Sequence, residues 1–265
     1  MNSWVSLMKK EMRLGLSASL MPIITFFISI GIAAYIGSRH NLASEAVMFV
    51  SLMATGLLTF YLIYYMLISL QAEKKQLHLW LHSTMPGYGL LLAKLAAGFL
   101  SLLVTLIITG TTLLLTINQA TQFSEELQFF NLTKIGMLGG VHLILLAISF
   151  ACFTIFFWVV HILFNRYIGA FLSLLATLAL FVASSSLYNA LKSTNIYETL
   201  TQWGEIYVTD LTNNISITTN LETGTEVLTE AVSHSFFLGS YLFEAVIVVA
   251  LFTAACWMLD RKVEV

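Results

Sequence analysis

The sequence predicts an all-α integral membrane protein of about six transmembrane helices, with both ends in the cytoplasm, and three observations carry that prediction. Hydrophobic residues fill 58% of the 265 positions and charged residues only 10%, where a soluble domain carries about 25% charged. Apolar runs recur at about 18–37, 47–70, 90–116, 136–163, 167–188 and 236–259, each near the roughly 20 residues a spanning helix needs. Lys and Arg are unevenly shared between the segments that join those runs, and that asymmetry orients the chain.

A soluble fold of this length leaves too much surface exposed to hide so much apolar area; the mean hydropathy of +0.86 agrees. In lipid the backbone must satisfy its own hydrogen bonds, so the runs are helices. The alternating polarity of a membrane β-barrel is not seen. Only Pro22 and Pro86 occur, which predicts largely unbroken helices. The first apolar stretch lacks the short core and small-residue cleavage pattern of a signal peptide. The chain reads as one membrane domain, 1–265, without an internal repeat.

With the N-terminus inside, Lys9, Lys10, Arg13, Lys74, Lys75, Lys94, Arg166, Arg261 and Lys262 are cytoplasmic, and Arg39, Lys134 and Lys192 are external. Nine against three supports this orientation, and an even number of spans agrees with it. A formal net charge of −2 offers no basic field to nucleic acid. Cys152 and Cys256 lie inside apolar runs and are expected to be inert.

Ahead of the first span, 2-NSWVSLMKKEMRLG-15 places Trp4, Met8 and Met12 at i, i+4 and i+8, with Lys9, Lys10, Glu11 and Arg13 on other faces. This predicts an amphipathic helix on the cytoplasmic membrane surface. Between spans two and three, 71-QAEKKQLHLWLHSTMPGYG-89 predicts a short apolar helix from Leu77 to Leu81, flanked by Glu73, Lys74 and Lys75 and stopped by Pro86-Gly87. An ordinary turn between two spans is equally compatible with that pattern. The external segment, about 189–235, sets six acids (Glu198, Glu205, Asp210, Glu222, Glu226 and Glu230) against the single base Lys192. Alternation at 205–210 and 215–219, around Asn213-Asn214, suggests a small hairpin there.

Catalytic and metal-binding patterns are weak. The segment 87-GYGLLLAKL-95 lacks the Gly-Lys-Ser/Thr of a phosphate-binding loop and opens a span. His78 and His82 share a helix face without the Glu of a zinc-protease motif. His161 and Asn165 have the spacing of one intramembrane metalloprotease class, whose paired-Glu motif is missing: Glu125-Glu126 is followed by LQFF in an external loop. No metal site is assigned. Ionisable groups within spans are costly and often functional, so Glu244 and His142 are candidates to line a translocation path. Gly136 and Gly140 form G-x-x-x-G, expected to serve packing within the chain. Asn131 and Asn214 head glycosylation-type triplets that fit external loops.

The order of these elements resembles the membrane permease subunit of a type-2 ABC transporter, the exporter class. The likeness rests on an amphipathic N-terminal helix, six spans with both ends inside, and the loop Glu73-Lys74-Lys75-x-Leu77-x-x-x-Leu81, then Met85-Pro86, then Lys94. It departs in having Gln76 where the family commonly has Gly-Thr, and in its long external segment. The resemblance implies that the loop is a coupling helix docking into a cleft of a separate cytosolic ABC ATPase, with Glu73, Leu77, Trp80, Leu81 and Pro86 as the docking set. It further implies a second permease chain, identical or related, and export of a peptide, lipid-like or amphipathic substrate across the cell membrane. ATP and Mg would be cofactors of the partner, none of this chain, which is not an enzyme by itself. A membrane sensor or immunity protein acting by binding, or an intramembrane enzyme, remains open.

Overall fold

The structure, a computed structural model, describes residues 3–74, 86–117, 119, 132–208 and 234–263. Among the described residues, six helices are long and apolar enough to cross a membrane. A short helix α1 (Ser3–Leu14) leads into the first, α2 (Leu16–Ser38). The second span joins α3 (Ala43–Leu57) to α4 (Tyr61–Lys74) through a 3-10 turn at Leu58–Phe60. The third is α5 (Gly87–Ile117), the fourth α6 (Leu132–Ile168) and the fifth α7 (Ala170–Lys192). A helix of about two turns, α8 (Asn195–Thr201), precedes a hairpin of β1 (Glu205–Val208) and β2 (His234–Phe237). The sixth span, α9 (Leu238–Met258), ends in a π-helical turn, Leu259–Val263.

The core forms where α4, α5 and α6 meet, around Leu62, Met66, Leu91, Leu102, Ala151 and Ile155. Small residues on α6 (Ala147 and Ala151) let the larger side chains of α4 and α5 interlock. The outer spans are far less enclosed: on α7 only Ser173 is buried. In lipid this is no fault, because acyl chains solvate the exposed Phe171, Leu174 and Phe181.

Several boundaries correct the expectations. The second span is not one unbroken helix, although it lacks proline. Thr55 Oγ1 donates to the Ser51 carbonyl and Thr59 Oγ1 to the Gly56 carbonyl, both at 2.8 Å. Such back-bonding beside a glycine bends a helix, and the ladder tightens there. The fourth span runs on through Arg166 to Ile168, and the turn into α7 is made by Gly169 at φ +78°, a backbone state that suits glycine alone. The hairpin's first strand lies where expected, but β1 pairs antiparallel with 234–237, Glu205 opposite Phe237 and Val208 opposite His234. Phe236 and Phe237, which the apolar run places at the start of span six, therefore belong to a strand. The segment 215–219 lies outside the described residues. Helix α8 was not foreseen; Thr194 caps it, its hydroxyl accepting from the Tyr197 amide at 3.4 Å.

Candidate functional site

Connectivity and contacts gather α1, the stems of the 75–85 connection, the α6–α7 turn and the C-terminal turn at one end of the bundle. At this end the core of the candidate site is an ion pair. Lys94 sits seven residues into α5, about 10 Å along the axis at 1.5 Å per residue. Its ammonium donates to Glu11 Oε2 at 2.7 Å and to Ser69 Oγ at 2.9 Å. Lys94 and Glu11 are only 1% and 2% exposed, so neither charge is left to be solvated by water. Ser69 also donates to Glu11 Oε2, at 3.5 Å. One ion pair thus links α1, α4 and α5.

Glu11 is a correction to the sequence reading, which placed it on the polar side of α1. In the structure it is the one fully buried side chain among the described residues of that helix, while Met12 is 43% exposed. The phase accounts for it: Glu11 lies three residues after Met8 and seven after Trp4, so all three share the face that packs on α5.

Tyr65 sits beside the pair. Its hydroxyl donates to the Glu11 carbonyl at 3.4 Å, and the Gly15 amide reaches the same carbonyl at 2.8 Å. The ring lies against Gly15 on one side and Gly98 on the other, where an added Cβ would overlap it. Two glycines on different elements therefore make the slot for one aromatic ring. Tyr61 adds a further tie from α4 to α5, its hydroxyl 2.6 Å from Ser101 Oγ.

The C-terminal turn reaches the other stem. Asp260 Oδ1 accepts the Gly87 amide at 2.8 Å, placing a carboxylate at the N-terminus of α5, where the helix dipole favours it. Pro86 immediately precedes α5, and its carbonyl accepts from the Gly89 amide at 2.9 Å. Its side chain is exposed. Of the remaining docking set, Glu73 lies in α4 with its side chain undescribed, and Leu77, Trp80 and Leu81 lie outside the described residues.

The opposite end holds Glu244 and His142. Glu244 lies in the second turn of α9, and His142 on α6 meets its first turn. Tyr241 reaches His142 Nδ1 on α6 at 3.3 Å, and Glu244 faces Lys192 at the end of α7, 4.0 Å away. The Lys192 ammonium also lies over the rings of Tyr188 and Tyr197, 4.7 and 5.9 Å from their centroids. The structure brings the two candidates to one end of one helix, facing different neighbours.

Other candidates resolve plainly. His161 Nδ1 lies 3.3 Å from Ser173 Oγ on α7, an inter-span tie at a fully buried serine. Among the described residues no three His, Cys, Asp or Glu side chains gather to hold a metal; His78 and His82 lie outside them. Cys152 and Cys256 are buried free thiols. The glycine pair does not do what was expected of it. A Cβ on Gly140 would meet nothing within 4 Å, and one on Gly136 only Leu114 at 3.7 Å, so no close helix crossing among the described residues uses that motif.

Glu11, Ser69, Tyr65 and Asp260 are the residues that sequence reasoning missed. Lys94 itself was the available signal, since an ammonium flanked by Ala93 and Leu95 within a span demands a partner. No protein-family model, curated protein or solved structure matches the chain.

Proposed function

We propose that this chain is the membrane-spanning permease subunit of an ATP-driven exporter in the cell membrane, working with a separate cytosolic ABC ATPase and a second permease chain. The observation that carries the reading is the architecture at one end of the bundle. Both helices that flank the 75–85 connection are anchored there, α4 through Ser69, and α5 through Lys94 and the Gly87 amide. A segment meant to receive a push needs stiff stems, because a loose stem would absorb the displacement locally.

In this reading both termini lie in the cytoplasm, on the nine-to-three distribution of basic residues. Leu77, Trp80 and Leu81 fill an apolar cleft on the ATPase, and Glu73 with Lys74 and Lys75 orients the contact by charge. ATP-driven closure of two ATPases displaces the segment, and the stems pass the movement to spans one to three. Substrate crosses between two permease chains. Glu244 and His142 stand at the external mouth, and the acidic segment 189–235 suits a cationic peptide or an amphipathic substrate.

The test is purification in mild detergent after co-expression with the neighbouring genes, with mass spectrometry of what accompanies the chain. A stoichiometric ABC ATPase, lost on Trp80→Asp while the permease still runs as a folded species, is the expected result. A chain that purifies without any ATPase contradicts the reading and favours a sensor or immunity protein that acts by binding.

A further inference from the structure

Helix α1 is held in an unusual way. Its apolar face is only partly enclosed: Trp4, Val5, Leu7 and Met8 are part-buried, Leu7 against the core, while Met12 and Leu14 are exposed. Among its described residues the one that is fully buried is a carboxylate, Glu11. A helix seated by apolar packing can slide or roll by part of a turn at small expense, because the hydrophobic effect has no direction. A helix seated by a buried ion pair cannot, since any displacement parts two charges in a medium that solvates neither.

Only Gly15 separates α1 from α2, and that joint is pinned by Tyr65. The first span is itself thinly packed, with Ala18, Phe26, Ala33 and Gly37 as its buried residues. Beyond the joint it packs chiefly along α3, so Gly15 is the point at which α1 can set the position of its near end.

From this we propose that Glu11, Lys94 and Ser69 form a latch: the ion pair fixes the register of α1 on α4 and α5, so that the N-terminal helix, the first span and the stems of the 75–85 connection move as one body. Glu11 and Lys94 are positioning residues here. Register, rather than net stability, is what the charges supply, in keeping with the best-attested role of buried ionic groups. Only the last step, delivery of an ATPase stroke to the first span, rests on the permease reading above.

The experiment places spin labels at Lys10→Cys and Tyr88→Cys, both exposed, in a Cys152→Ala, Cys256→Ala background, and reads the distance distribution in detergent and in bilayers. The parent protein is expected to give one narrow distance. Lys94→Met is expected to lose it. Because that variant strands a buried carboxylate and risks unfolding, two doubles carry the decision. Glu11→Leu with Lys94→Met removes both charges and keeps the chain folded, yet is expected to show a broadened distribution. Glu11→Lys with Lys94→Glu restores the pair in reverse and is expected to recover the narrow one. An apolar double as narrow as the parent, or a swapped double as broad as Lys94→Met, overturns the latch. In the complex with its ATPase, the apolar double is expected to keep the ATPase bound and lose transport. If the parent binds no ATPase the docking reading falls, while the label distances still decide the latch.

Discussion

The two ends of the molecule each carry a lysine facing a glutamate, and the two pairs have little else in common. Lys94 and Glu11 meet at 2.7 Å with 1% and 2% of their side chains exposed. Lys192 and Glu244 stand 4.0 Å apart with 40% and 43% exposed. The first pair has a serine hydroxyl as third member and joins three helices. The second has aromatic rings around its lysine and is partly exposed on the protein surface. Chemistry of the same kind is structural at one end and adjustable at the other, because burial sets the penalty for separating charges. An exposed pair contributes about 0–1 kcal/mol and is screened by salt. Removing one partner of a buried pair costs about 3–5 kcal/mol, since the survivor is left without compensation. In the proposed permease, the first kind would suit the end that receives the ATPase stroke and the second the end that meets substrate.

Substitutions at the two ends sharpen that contrast. The largest effect is expected from Lys94→Met, which strips the counter-charge from Glu11 and should lower stability by about 3–5 kcal/mol, read as a fall in melting temperature or a loss of monodisperse protein. Gly98→Val comes next: its branched side chain would enter the space of the Tyr65 ring and should cost about 1–3 kcal/mol by overpacking, measured by the same melt. Asp260→Ala removes a carboxylate from the Gly87 amide and should cost about 1.5 kcal/mol, the low end for a hydrogen bond to a charged group; hydrogen exchange at the first turn of α5 should rise. The smallest effect belongs to Glu244→Gln, less than about 1 kcal/mol. A melt at low and high salt checks it, the difference from the parent shrinking as salt rises. If Glu244→Gln matched Lys94→Met in the same detergent, the contrast between the ends would be lost.

The spans were legible in the sequence because lipid permits long apolar runs that few other structures tolerate, and all six appear. Their ends were less so. Polarity at Asn165-Arg166 suggests a loop, yet the helix continues until Gly169 permits the turn. The bend in the second span needs no proline, only threonine hydroxyls near a glycine, a pattern too common to single out. The partner of β1 lies about thirty residues away along the chain, and pairing at that distance is set by the fold rather than by local alternation. Glu11 is the instructive case. Its residue type argues for the surface and its helical phase for the core, and Lys94 settles the conflict from a different helix. Glu244 and His142 were readable as isolated ionisable groups in apolar runs, whereas their partners Lys192 and Tyr241 required the structure.

The measurement that bears most directly on the account is a photocrosslinking amino acid placed at Trp80 in one preparation and at Trp203, near the opposite end, in another, each irradiated in membranes that contain the co-expressed neighbouring gene products. The permease account predicts that position 80 captures a nucleotide-binding ABC ATPase and that position 203 does not. Capture of no ATPase from position 80, or equal capture from both positions, would contradict it.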